Sequence, residues 1–352
     1  MDVTYSLLCA LLFCSVTVYA QNCVPTFQNN EVDIELNNQN LTKIVTGCLT
    51  GNQLPTGNIV SINIKGQVIP SLNSGAISNI QQKFNINISH NEIDVIRKNS
   101  FRNLPKLVDL YLDYNNLTSI EPYAFENLPS VENIYLGNNK IHVIKRDTFV
   151  NLPNLLTIFI NDNKLKTFDQ SWFSSTPALE WLVLNGNQVT SIKNAAFEEI
   201  GSVTHVDFDY NNLRYIHPEA FSGLNRLEEL YLAGNELTSF EHVNLSHSSA
   251  LFRLGIEFNK FTYLLPRFFH AIRNTMKEKE IFIRGNPLQC ACVDELVIWA
   301  SNNDIKLYWK CDEKETYCIF PLSNESDCVK RSIDQFNSSL IGSHIFNCLE
   351  EL

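Results

Sequence analysis

Between Cys48 and Cys290 the sequence contains no cysteine, so any disulfide staples belong to the two ends of the chain. Positive charge is also scarce. The chain has 27 Lys and Arg against 38 Asp and Glu, a formal net charge of −11, and no run of four basic residues. Long-range electrostatics therefore disfavour nucleic acid and anionic membranes as partners. After the first twenty residues no apolar stretch approaches the ~18 residues of a bilayer span, so no membrane insertion is expected. The last residues, Glu350-Glu351-Leu352, lack the hydrophobic tail of a lipid-anchor signal, so the expected mature chain is released and soluble. Phosphate loops, nucleophile elbows and metalloprotease helices are missing too. No nucleophile–base set can be named, so no catalytic residue, cofactor or metal is expected and the chain is not read as an enzyme. The eight His are scattered, with His90 and His205 expected to face the concave side of the fold and His142 and His217 to follow its turns, and they are read as ordinary surface histidines rather than a pH switch.

The composition is 44% hydrophobic and includes 22 Phe, enough for a continuous core. Leu7 to Val18 reads as the apolar core of an export signal, with small Val18 and Ala20 before the cut; residues 1–20 are expected to be removed, although Asp2 stands where a basic residue is usual. Cys9 and Cys14 leave with that segment. Eight cysteines remain: Cys23, Cys48, Cys290, Cys292, Cys311, Cys318, Cys328 and Cys348. An even number clustered at the ends predicts disulfide caps in an oxidising, extracellular compartment. Asn-x-Ser/Thr sequons at Asn40, Asn87, Asn116, Asn244, Asn324 and Asn337 are then candidate glycan sites.

The middle of the chain repeats. Leu107-x-x-Leu110-x-Leu112-x-x-Asn115 recurs with Asn139, Asn163, Asn187, Asn211, Asn235 and Asn259, every 24 residues from Asn91 onward, and once more at Asn286 after a three-residue insertion. Ile59, Ile62, Ile64 and Gln67 fit the same frame with Gln at the Asn position, and Ile34, Leu36, Leu41 and Ile44 read as a degenerate first strand. Phe101, Phe125, Phe149, Phe173, Phe197 and Phe221 recur at the same period. Each turn begins with a strand whose alternate residues point inward. The Asn amide, a donor and an acceptor, satisfies backbone groups where the chain bends inside the core. The Phe set closes the far side. One turn cannot bury these residues, but stacked turns can. The bulkier Phe side spaces wider, so the sheet should lie on a concave face.

This pattern is that of the leucine-rich repeat. The predicted fold class is an α/β-type solenoid of about ten turns: a curved parallel sheet on the concave side, irregular or 3-10 segments on the convex side, and disulfide caps at both ends. The expected divisions are an N-terminal cap over 21–58, repeats over 59–285 and a cysteine-rich cap over 286–352. Gly285-Asn286-Pro287-Leu288-Gln289-Cys290-Ala291-Cys292, with Trp299 following, resembles the C-terminal cap of extracellular leucine-rich-repeat proteins. That resemblance implies that Cys290 and Cys292 pair with two later cysteines and that Trp299 packs over the last turn. Cys318, before Ile-Phe-Pro321, resembles the third cysteine of the family, with Cys311 competing for the role. A zinc site built from these cysteines has the wrong spacing. The chain also resembles the soluble leucine-rich immune proteins of mosquitoes, in a short form without their coiled coil.

The outward residue between the two inward strand positions runs Asn63, Asn87, Tyr111, Tyr135, Phe159, Val183, Asp207, Tyr231, Gly255, Phe282. Tyr111, Tyr135 and Phe159 make an aromatic stack, which either binds a partner or merely suits a strand. Asp207, Asp209, Tyr210, Glu228, Tyr231, Phe252 and Arg253 crowd charge and aromatics on adjacent turns, which costs stability and marks the expected site for a protein or glycoconjugate partner. A glycan on Asn87 shades Tyr111 and Tyr135 but leaves Tyr231, six turns on, clear. The expected function is recognition or scaffolding in innate immunity; the alternative is adhesion, matrix or guidance. Cys23 and Cys48 are expected to pair with each other and the eight cysteines to form four intramolecular bridges; the alternative is that Cys348, close to the end of the sequence, reaches a second chain and forms a dimer.

Overall fold

A computed structural model describes residues 23–37, 39–269, 278–309, 318–319 and 327–329. Residues 1–20, expected to be an export signal, and Cys311, Cys348, Asn324 and Asn337 lie outside the described residues. The chain divides into two compact units, Met1–Leu155 with Trp172–Thr176 and Leu156–Ser171 with Pro177–Leu352. Together they make about ten turns of a parallel-strand solenoid with little helix.

In the first unit the sheet is built from β1 (Phe27–Leu36), β2 (Gln39–Gly47), β3 (Ile59–Asn63), β4 (Phe84–Asn87), β5 (Leu107–Tyr111) and β6 (Asn133–Tyr135). From β3 to β6 the pairing is parallel, with Asn63, Asn87, Tyr111 and Tyr135 in register. The alternation that predicts these strands is seen directly: Leu107, Leu110 and Leu112 have no exposure, whereas Asp109 and Tyr111 between them face outward. Burying each such Leu is worth about 1.5–3 kcal/mol.

The N-terminal end differs from the expected degenerate repeat strand. β1 and β2 form an antiparallel hairpin, and β1 also runs antiparallel to β3. Phe27, Val32, Ile34 and Val45 cover the open end of the core, but Leu41 and Ile44 are 37% and 60% exposed. The reason is position: β2 is an edge strand, and Ile34 on its partner already supplies the inward contact. Gln67 leaves the amide row as well. Its Oε1 accepts from Asn30 Nδ2 and the Glu31 amide of the hairpin, both at 3.3 Å. Cys23 and Cys48 are joined beneath this hairpin, with Cα atoms 6.5 Å apart.

In the second unit β7 (Thr157–Phe159), β8 (Trp181–Val183), β9 (His205–Asp207), β10 (Glu229–Tyr231), β11 (Arg253–Gly255), β12 (Lys279–Phe282) and β13 (Ile305–Tyr308) are all parallel. The last strand lies beyond residue 285, where the repeats were expected to stop. It follows α1 (Cys290–Ser301), the one α-helix among the described residues. Cys290 and Cys292 open that helix and are bonded to Cys318 and Cys328. Trp299 lies against Phe269 of the last turn, ring centroids 6.0 Å apart.

Inside each unit two ladders hold the turns in step. Asn187 is typical of the first. Its Nδ2 donates to the carbonyls of Ile160 (2.9 Å) and Leu184 (3.0 Å), and its Oδ1 accepts from the amide of Leu165 at 3.0 Å. Asn115 does the same for Ile88, Leu112 and Ile93 in the first unit. Each of those carbonyls also accepts from a neighbouring Asn of the row, so the group that this amide alone satisfies is the buried backbone N–H of Leu165 or Ile93. The second ladder is aromatic: Phe101, Phe125, Phe149 and Phe173 stack at 5.2–5.8 Å in the first unit, and Phe197 and Phe221 at 5.6 Å in the second. The Phe side is more regular than expected. Two-residue parallel strands such as Phe125–Glu126 and Phe149–Val150 line it, with 3-10 turns at Gln170–Trp172 and Glu198–Ile200.

Candidate functional site

The open face of the second sheet gathers polar and aromatic residues that the strand register places side by side. Trp181, His205, Glu229, Arg253, Glu280 and Lys306 occupy one row across successive strands. The Trp181 ring, 43% exposed, stacks flat on His205 at 3.8 Å. His205 Nδ1 lies 2.7 Å from the Thr204 hydroxyl, and its Nε2 lies 3.4 Å from Glu229 Oε1. The other Glu229 oxygen accepts from the Tyr231 hydroxyl and from Arg253 at 3.2 Å. Arg253 continues to Glu280 through Nε at 2.7 Å and its terminal nitrogen at 2.6 Å, and the Tyr308 hydroxyl donates to Glu280 Oε1 at 3.1 Å. Burial and the bond to Glu229 push the Tyr231 phenol up to about 12, and Arg253 is held firmly protonated by Tyr231 and Glu280.

Beside that row lies a group of acids with little compensation. Asp207 Oδ1 accepts from the Asp209 amide at 2.8 Å, and Asp209 Oδ1 from the Ala233 amide at 2.6 Å. Burial raises the carboxyls of Asp207 and Glu257. Burial, reinforced by the neighbouring Asp207 charge, pushes Asp209 up to about 8. Arg284 attracts Glu257, yet Glu257 Oε2 and Arg284 Nε are both buried and neither has a hydrogen-bond partner. Among the described residues no group of three or more His, Cys, Asp or Glu is placed to hold a metal ion.

Backbone geometry aims Tyr210 over this face. It sits in the left-handed region, φ 51°, at the turn after β9, and it is 53% exposed. Its ring covers Gly234, φ +64°, where an added Cβ would stand 2.6 Å from the ring. Gly234 is thus fixed twice, by its dihedral and by the tyrosine above it.

Of the residues singled out from the sequence, Asp207, Asp209, Tyr210, Tyr231 and Arg253 come together here. Phe252 lies under the Arg253 guanidinium, 5.6 Å from its ring centre. Glu228 stands just before β10, where its carbonyl accepts from the amides of Phe252 and Arg253; its neighbour Glu229 carries the charged row. Sequence reasoning missed the roles of Trp181, His205, Glu280 and Tyr308. The signal for Trp181, His205 and Glu280 was one fixed repeat position, two residues ahead of Val183, Asp207 and Phe282, whereas Tyr308 stands in register with Phe282 itself.

The first unit's face is different in kind. Tyr111 and Tyr135 stack at 4.5 Å with planes 7° apart, and burial pushes the Tyr135 phenol up to about 12. Asn133 donates to Asp109 at 2.7 Å. Asn87, in register with Tyr111, accepts from the amide and hydroxyl of Ser89, at 3.0 and 2.6 Å. Phe159 belongs to the second unit, in register with Val183.

The leucine-rich-repeat family model matches residues 81–141, 129–189, 177–237 and 202–261, together just over half of the chain. The chain belongs to the leucine-rich-repeat family. No curated protein matches it at a significant level. Among solved structures this leucine-rich-repeat chain is similar to that of the mouse RP105/MD-1 complex, with 24% identity, 77% of this chain and 46% of that one covered, and a TM-score of 0.59. The Toll–Spatzle complex of Drosophila gives 18%, 78%, 44% and 0.56 in the same order. The TLR13–ssRNA13 complex gives 24%, 63%, 34% and 0.54. At these identities the likeness shows the fold. The chain spans about a third to a half of the length of these three proteins.

Proposed function

We propose that this leucine-rich-repeat protein is a secreted recognition factor that binds a protein ligand on the open face of its second unit. The observation that carries the reading is the crowding of Asp207, Asp209 and Glu257, half-buried with raised carboxyls, beside exposed Trp181 and Tyr210. Nothing in the repeat framework needs acids there, and their burial costs stability. A ligand with a basic patch next to an apolar or aromatic side chain matches both parts and associates faster at low salt.

Export is supported by the apolar segment over 1–20, by the disulfides at both ends and by the sequons. Asn40 is exposed, and Asn87, Asn116 and Asn244 are partly so. Among the described residues no helix is long and apolar enough to cross a membrane. The immune reading draws support from the likeness to the Toll–Spatzle complex, a hub in Drosophila development and innate immunity, and the mouse RP105/MD-1 complex is a second neighbour that holds a protein partner. A neighbour also binds RNA, but the charge of −11 favours a protein ligand here. A glycoconjugate and a dimer through Cys348 are subsidiary proposals, as are the divisions at residues 20, 58 and 285.

One experiment tests this. The full chain is expressed in insect cells and recovered from the medium, where N-glycosidase lowers its mass. It then serves as bait in extracellular fluid, alongside Tyr231→Ala and Tyr111→Ala. A ligand retained by Tyr111→Ala and reduced tenfold or more by Tyr231→Ala is expected. The reverse pattern moves the site to the first unit and overturns the reading, and an unshifted intracellular product overturns secretion.

A further inference from the structure

In the first unit, at the starting edge of β3 and β4, a groove of about 840 Å³ runs between neighbouring turns. Its polar lining is Asn58, Gln81, Gln82, Lys83, Asn85 and Lys106, and no carboxylate lines it. In a chain with eleven more acids than bases that lining is unusual. The two lysines are neighbours. Phe84 pairs with Leu107 in the sheet, and the Phe84 amide donates to the Lys106 carbonyl at 3.3 Å, so Lys83 and Lys106 flank adjacent strand starts. Like charges side by side on adjacent strands destabilise the sheet. Among the described residues neither lysine forms an ion pair, and the side-chain amides of Asn58, Gln81 and Gln82 have no protein partner. Both lysines also line an adjoining groove of about 200 Å³ with Ser130, Asn154 and the exposed Glu132.

We propose that this groove binds an acidic oligosaccharide, with a carboxylate or sulfate held between Lys83 and Lys106 and sugar hydroxyls hydrogen-bonded by the amides around them. Two lysines hold one anionic group between them, and the surrounding amides need neutral hydroxyls beside it, which an acidic saccharide carries. A nucleic acid carries a phosphate on every residue and is usually gripped by base stacking as well. The one aromatic residue in the groove, Phe84, is 1% exposed and offers no stacking face. Amide side chains, each with donors and an acceptor, match vicinal hydroxyls. The site is in the other unit from the proposed protein-binding face and does not depend on that reading.

The test is calorimetry on the full secreted chain with four probes: a heparin hexasaccharide, a hyaluronan hexasaccharide, chitohexaose and a single-stranded hexanucleotide. Binding of at least one acidic saccharide is expected, weakened tenfold or more in Lys83→Gln/Lys106→Gln and unchanged in Lys164→Gln/Lys166→Gln in the second unit. All four positions are exposed, so both variants should melt as the parent does. The proposal is overturned if neither acidic saccharide binds, if the neutral sugar or the hexanucleotide binds as tightly, or if both double variants weaken binding alike.

Discussion

The two sheet faces share one backbone repeat and differ in how their polar groups are settled. At the middle of the first unit's face the outward groups pair with near neighbours at modest cost: tyrosine on tyrosine, Asn133 on Asp109, Asn87 on Ser89. In the second, Glu229, Arg253 and Glu280 alternate in sign along a row, but Asp207, Asp209 and Glu257 gather three carboxyls in a half-buried place. The comparison separates framework from face. Inward Leu and Ile, the Asn row and the Phe row are dictated by stacking and are the same in both units. Outward residues are left open by the fold, so an arrangement there that costs stability calls for a ligand to explain it.

The framework half of this comparison breaks if the Asn rows are not equivalent. Asn115→Ala and Asn187→Ala should each cost about 1–3 kcal/mol, the price of leaving the buried amide of Ile93 or Leu165 unpaired. Denaturant melts checking both should give similar losses; a loss in one unit and none in the other separates the frameworks. The face half is sharpened by Tyr111→Leu. This change removes a stacked pair, worth about 0.5–1.5 kcal/mol beyond the area buried. Melts at pH 5 and pH 8 should show the same small loss, because a neutral stack has no proton to exchange over that range.

Most of the framework was legible in the sequence because it recurs. The 24-residue period located every strand from β4 to β11, and the buried Asn and Phe rows follow from it. The ends were harder because their residues do not recur. Leu41 and Ile44 look inward by apolarity alone, yet they sit on the free edge of a hairpin. β13 extends the sheet without an Asn to mark it. On the second face Asp207, Tyr231 and Arg253 were found by their position in the repeat. Glu280 was hidden by the insertion that places it 27 residues, not 24, after Arg253. His205 looked like an isolated surface histidine until the register set it between Trp181 and Glu229.

The central claim is that the second face holds acids at the expense of stability. Folding raises the Asp209 carboxyl from its ordinary 3.8 to about 8. Between those values the native state keeps a proton that the unfolded chain has released, so stability falls as pH rises through this window. Asn at this position keeps an oxygen for the Ala233 amide and has nothing to ionise. The decisive measurement is the unfolding free energy of Asp209→Asn against the parent from pH 5 to pH 8. The account predicts a variant more stable by about 1–3 kcal/mol at pH 8, with the gain shrinking toward pH 5. A variant that is less stable at pH 8, or whose difference from the parent does not change with pH, contradicts it.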